Sequence, residues 1–173
     1  MPIKKNKNLS ETHQSDMLPL QNSKIGIVTA QWNQNITFSM RDACLEELKK
    51  YGLTETDIIS YEVPGAFELP IAAKMLLSGK SLDAVICIGC VIKGETKHDE
   101  YISNAVASGI MTLSIVSGKP IIFGVLTPND MQQAMDRSGG AHGNKGIEAA
   151  HTAIKMIHMA KDIKSTGKKN IGF

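Results

Sequence analysis

The chain has 173 residues, 42% of them hydrophobic, and a formal net charge of +2. That length fits one domain with enough apolar residues to bury a core without disulfides or metal. No apolar run reaches the ~20 residues of a membrane-spanning helix, and residues 1–23 hold no apolar leader of the secretory kind. The three cysteines, Cys44, Cys87 and Cys90, are odd in number. Two sit in or beside an apolar strand, which suggests reduced, buried thiols and a cytoplasmic protein. The charge is uneven: residues 1–24 and 161–173 hold eight Lys against three acidic residues, so the ends carry +5 and the middle −3. Basic ends can touch nucleic acid or anionic surfaces. Solvated ends are the plainer reading, and no aromatics are interleaved to stack on bases. Neither a nucleic-acid partner nor a membrane is expected.

Residues 1–23 are rich in Lys, Asn, Ser and Gln and read as a flexible extension. Its one apolar patch, Met17 to Leu20, could pair with a neighbouring subunit's edge strand, within the limits Pro19 sets. Lys24–Ala30 is the first predicted strand, and a polar loop with the only Trp, Trp32, follows. A helix then runs to about Lys50 with Ile36, Met40, Cys44 and Leu48 on one face, and Tyr51-Gly52 ends it. Asp57–Val63 is a second strand, and Pro64-Gly65 turns into a helix from Ala66 to Leu77 with Gly79 as its stop. Asp83 to about Ile92 is a third strand, and His98 to about Val116 a third helix. Ile121–Leu126 is a fourth strand. Asp130 caps a short helix through Asp136, Gly139–Gly146 is a loop, and Glu148 to about Asp162 is the last helix. Residues 24–162 form the domain, with 163–173 a flexible tail. Apolar strands alternating with amphipathic helices imply a parallel sheet covered on both faces. Right-handed crossovers narrow this to a flavodoxin-like three-layer α/β/α sandwich with a four-stranded parallel sheet.

Several residues could carry chemistry, and each has a plainer role beside it. His98 lies on a polar stretch at a helix start. It could transfer a proton, a role worth ~10²–10⁴ in rate, or be an ordinary surface His. Gly94-Glu95-Thr96 precedes that helix, where free N–H groups and the Thr96 hydroxyl suit a phosphate; simple capping by Thr96 is the alternative. Arg137 abuts a Gly-rich loop and could clamp a phosphate with both arms of its fork, or only complement a helix dipole. The chain's other arginine, Arg41, reads as solvated. Trp32 is either a core residue or a platform for a flat heterocycle at the sheet's carboxyl edge. Phe67 and Glu68 open a helix on that edge, and Glu68 could accept from ligand hydroxyls. Phe123, in mid-strand, reads as core. His151 and His158 share a helix side and read as surface residues. Cys87-x-x-Cys90 has metal-site spacing, but strand residues alternate sides, so the two thiols should diverge. No G-x-G-x-x-G follows the first strand, and neither a Walker loop nor G-x-S-x-G occurs. No nucleotide cofactor or metal is expected.

Four motifs in order carry a resemblance: residues 63–70 (VPGAFELP), 89–98 (GCVIKGETKH), 123–127 (FGVLT) and 136–146 (DRSGGAHGNKG). Together they resemble the 6,7-dimethyl-8-ribityllumazine synthases over about residues 24–160. The resemblance implies the penultimate step of riboflavin synthesis. In that step 5-amino-6-ribitylaminouracil condenses with 3,4-dihydroxy-2-butanone 4-phosphate, without cofactor, and phosphate and water leave. By motif position, Trp32 stacks on the pyrimidine. Ala66, Phe67 and Glu68 hold the ribityl-bearing substrate, and Cys90, Val91 and Ile92 line its pocket. Glu95, Thr96 and Arg137 bind phosphate, and His98 shuttles protons. Phe123 and Arg137 come from the neighbouring subunit of a pentamer. Such pentamers can assemble as icosahedral shells of sixty chains, and riboflavin synthase is an implied partner. Three departures stand out. Lys93 replaces a frequent Arg, which keeps the charge but not the fork. Glu95 is one of several residues seen at its place and contributes its backbone N–H. Ala141-His142 replaces a Lys-bearing pair. Two other functions fit the same pattern: a shell that encloses cargo, and a ligand binder without turnover, against which the intact Thr96, His98 and Arg137 argue.

Overall fold

The two most apolar strands become the centre of the sheet. In a computed structural model that describes Asn8 and residues 17–169, β1 (Ile25–Ala30) and β3 (Ala84–Cys90) are buried along their whole length. They lie between two edge strands, β2 (Ile58–Val63) and β4 (Ile121–Leu126), in the order β2-β1-β3-β4. All neighbours are parallel. The helices α1 (Gln34–Lys50), α2 (Leu69–Gly79), α3 (His98–Ser117) and α5 (Lys145–Lys169) cover the sheet. On one face Ile27, Ile86 and Ile122 pack with Met40 and Leu48 of α1 and Ile154 and Ile157 of α5. On the other, Val28, Val85 and Val125 pack with Leu69 and Ala73 of α2 and Val106 and Ile110 of α3. This is the expected flavodoxin-like three-layer sandwich. The chain leaves β1 toward β2 but leaves β3 toward β4. The loops after β1 and β3 therefore diverge and open a crevice at the carboxyl edge.

Several boundaries move, each for a local reason. β3 stops at Cys90, short of Ile92, because β1 no longer runs beside it, although the chain still follows the continuation of β4: Val91 N–H donates to Leu126 O at 2.8 Å and Lys93 N–H to Pro128 O at 3.0 Å. A tight 3₁₀ turn over Ala66–Glu68 precedes α2, whose first turn takes Pro70 without losing a bond. β2 starts at Ile58 because Asp57 is drawn back to cap Thr54 N–H at 2.9 Å. The Gly139–Gly146 loop contains a small antiparallel pair, β5 (Ser138–Gly140) and β6 (Gly143–Asn144), after the short helix α4 (Met131–Arg137). α5 begins three residues before Glu148 and continues past Asp162 to Lys169. Its start lies against α1 so closely that a Cβ on Gly146 would sit 1.8 Å from Met40 O.

Within its own chain Leu20 is buried, its N–H donates to Tyr51 O at 2.7 Å, and Met17 packs on the core. Two sequence readings need correction. Arg41 is not simply solvated. It reaches across to β2, pairs with Glu62 at 3.0 Å and lies over the Phe38 ring. His151 is not a surface residue; it is 6% exposed and bonds Glu47 of α1 at 2.7 Å. The long α1–α5 seam buries both partners. Burial works to raise the Glu47 carboxyl, but bonds from Lys50 and His151 outweigh it and hold the group below its usual range. His158 is half-buried and bonds Leu18 O at 3.0 Å. The flexible extension expected over residues 1–23 lies outside the described residues, apart from Asn8 and residues 17–23. So do residues 170–173 of the expected C-terminal tail.

Candidate functional site

A cleft of about 650 Å³ opens at the carboxyl edge where β1 and β3 part. Its walls come from three strand ends. Trp32 and Asn33 follow β1; Gly65, Ala66, Phe67 and Glu68 follow β2; Cys90 ends β3, and Val91, Ile92, Gly94, Thr96, His98 and Asp99 follow it. Trp32 is 74% exposed, which removes the core reading, and its backbone is pinned by a bond to Pro64 O at 3.2 Å. Phe67, which also lines the cleft, is 56% exposed. Two large aromatic surfaces left in water at a cleft mouth mark a place for a flat partner. Glu68 spends one carboxylate oxygen on Gly65 N–H at 2.9 Å, which fixes its direction. Among the described residues the second oxygen has no partner and can accept from a hydroxyl.

The Cys90–Ile92 wall offers backbone polar groups beside a thiol that burial pushes up to about 11. Such a thiol is not ionised near neutrality, so Cys90 is wall and not nucleophile. Cys87 packs in the α2–α3 core and Cys90 in the α1–α5 core, so the two diverge as the strand period requires. Thr96 Oγ accepts from His98 N–H at 3.4 Å, which leaves the hydroxyl proton available to a ligand. Among the described residues nothing hydrogen-bonds the His98 imidazole, which stands exposed at the first residue of α3. Asp99 accepts from Gly94 N–H at 3.3 Å and steadies the loop between them. Glu95 is exposed beside the cleft and does not line it.

Besides Glu95, two of the sequence-derived site residues are not brought here. Phe123 is 36% exposed instead of core, because β4 is an edge strand, and it does not line the cleft. Arg137 is anchored in a corner of its own. One arm donates to Glu148 Oε1 and to His142 O, each at 2.9 Å, and the other to Glu148 Oε2 at 3.2 Å. Lys145 adds a second cation to Glu148 at 3.2 Å. Burial works to raise the Glu148 carboxyl, but Arg137 and Lys145 outweigh it and hold it below the usual range. Ser39 of α1 ties this corner down through Ser138 O at 2.6 Å. Sequence reasoning passed over Asn33, Asp99 and Glu148. The first two are direct neighbours of Trp32 and His98, but Glu148 is eleven residues from its partner and has no local signal.

The family model described as 6,7-dimethyl-8-ribityllumazine synthase matches residues 22–161. The chain belongs to that family. A protein of Cytophaga hutchinsonii called 6,7-dimethyl-8-ribityllumazine synthase is 48% identical over 151 residues, covering 87% of this chain and 94% of the relative. One of Flavobacterium psychrophilum with the same name is 44% identical over 168 residues, covering 97% of this chain and 86% of the relative. One of Bacteroides fragilis is 47% identical over 134 residues, covering 78% and 94%. This member of the lumazine synthase family is therefore an enzyme of the transferase class, and its place is in riboflavin biosynthesis. Members of such a family take small-molecule substrates and form oligomers. Among the described residues no helix is long and apolar enough to cross a membrane.

Proposed function

We propose that the chain condenses 5-amino-6-ribitylaminouracil with 3,4-dihydroxy-2-butanone 4-phosphate, releasing phosphate and water to give 6,7-dimethyl-8-ribityllumazine. The observation that carries the proposal is the single cleft in which Trp32, Ala66–Glu68, Cys90–Ile92, Thr96 and His98 converge. The pyrimidine ring stacks on Trp32, and its polar edge meets the backbone of Val91 and Ile92. The ribityl hydroxyls reach the free oxygen of Glu68, with Ala66 and Phe67 beside them. The butanone phosphate sits at the start of α3, held by Thr96 and the Glu95 N–H, where the helix terminus favours an anion. His98 moves protons between the condensing groups and the leaving phosphate. Holding both reactants in one cleft supplies much of the acceleration by proximity.

A second chain completes the site in this proposal. Its Phe123 closes the pyrimidine pocket, and its Arg137 closes the phosphate seat. That arrangement needs a closed ring, and the proposal takes it as a homopentamer able to build sixty-chain shells. Riboflavin synthase, as consumer of the lumazine, is the proposed partner, and the cytoplasm the proposed location. The test is direct. The purified protein is mixed with both substrates and the lumazine chromophore is followed. Formation well above the uncatalysed rate is expected; formation at that rate from folded protein contradicts the proposal.

A further inference from the structure

β1 and β3 stay in register as far as Thr29 opposite Ile88, whereas β3 stays paired with β4 as far as Cys90 opposite Leu126. Beyond Ala30 the first strand leaves the sheet, so the end of β3 has no strand beside it there. A parallel strand directs successive backbone groups to alternate neighbours. Val91 and Lys93 donate toward Leu126 and Pro128. The Cys90 carbonyl therefore points the other way, into the place that β1 has vacated. Asn33 fills that place: its Nδ2 donates to Cys90 O at 3.0 Å.

The reach depends on an uncommon backbone. Asn33 has φ 59° and ψ 44°, the left-handed region, which Asn and Asp enter more readily than other side chains. It also stands at the N-cap of α1, where an Asn side chain ordinarily takes a helix N–H. Here it makes no such cap bond. The amide is diverted to the neighbouring strand. On its other side the same loop is held to β2, by Gln31 N–H to Val63 O at 2.8 Å and Trp32 N–H to Pro64 O at 3.2 Å. The Trp32 ring itself is mostly in water, so its place over the cleft is set by these backbone ties.

We propose that Asn33 is a positioning residue: its amide latches the β1 loop to the Cys90 carbonyl and fixes the Trp32 ring against the Cys90–Ile92 wall. The catalytic part of this rests on the reading of the cleft as the pyrimidine site; the latch itself does not. Trp32 is the only Trp, so emission anisotropy and acrylamide quenching of the free protein report on it alone. Asn33→Asp keeps the shape and tolerates the left-handed backbone, but turns an acceptor toward the carbonyl. Asn33→Gly keeps the backbone and removes the amide.

Both variants should lower Trp32 anisotropy and raise its quenching. Both should also raise KM for the pyrimidine substrate roughly five- to tenfold while kcat stays within about twofold. Wild-type anisotropy and quenching in both variants would overturn the latch. A loosened Trp32 with unchanged KM would overturn its positioning role. Trp32→Ala separates this from the proposed function: if its pyrimidine KM is unchanged, stacking and the positioning role fail together, and the anisotropy still decides the latch. If Asn33→Asp does not fold, Asn33→Gly decides alone.

Discussion

The cleft and the Arg137 corner treat their polar side chains in opposite ways. In the cleft Trp32 and Phe67 stand in water, and among the described residues the His98 imidazole has no bond and Glu68 keeps one oxygen unspent. In the corner both arms of Arg137 are engaged, and Glu148 is held by two cations. A group waiting for substrate is left open. A group committed to partners in its own chain is braced. Under the proposed function the two regions are halves of one site that a single chain does not close.

The largest effect should come from attacking the corner's foundation. Gly146→Ala pushes a methyl into the Met40 carbonyl, where a Cβ would have only 1.8 Å. The loss should reach about 4 kcal/mol or more, read as a fall in the chemical-denaturation midpoint or as insoluble protein. A wild-type midpoint would mean that α5 does not seat on α1 as described. Next is the open half. His98→Ala should lower kcat by roughly 10²–10⁴, with pyrimidine binding nearly unchanged in a titration. An unaltered kcat would remove His98 from proton transfer.

Arg137→Ala should leave pyrimidine binding intact and raise KM for the butanone phosphate by roughly ten- to a hundredfold, the worth of lost bonds to a charged group. If the pyrimidine KM rises instead, Arg137 does not serve the phosphate half. The smallest effect concerns acid. Glu148 has a depressed folded pKa, so its stabilising contribution is present above the ordinary carboxylate pKa and is lost as pH falls through the folded value. The melting-temperature advantage of wild type over Glu148→Gln should therefore shrink as pH falls below about 4. A constant difference from pH 7 to pH 3 would mean the carboxylate charge is not what braces Arg137.

Most of the fold was legible because its signals are local. The apolar blocks at Ile25–Ala30 and Ala84–Cys90, the helix stops at Gly52 and Gly79, and the Asp130 cap each act within a few residues. The cleft was legible through its motifs, since sequence neighbours at three strand ends meet on one sheet edge. What escaped depends on contacts between distant residues. Nothing beside His151 announces Glu47 across the α1–α5 seam, and nothing beside Arg41 announces Glu62. Phe123 reads as core until the strand order places β4 at an edge. Trp32 reads either way until the loop leaves the sheet and its ring turns out to water. Asn33 looked like one more polar loop residue, because its partner carbonyl is 57 positions away.

The central claim is that one chain's His98 works with another chain's Arg137, and mixing two disabled proteins tests it most directly. His98→Ala protein, with its lowered kcat, and Arg137→Ala protein, weak at low butanone phosphate, are unfolded together, refolded in equal amounts and assayed for lumazine formation at a butanone phosphate concentration below the wild-type KM. In a closed ring with random neighbours, about a quarter of the interfaces would carry both intact residues, so activity should return to about that fraction of wild type. Activity no greater than the sum of the two separate variants, from a refolded mixed assembly, would place both residues in one chain's site and contradict the account.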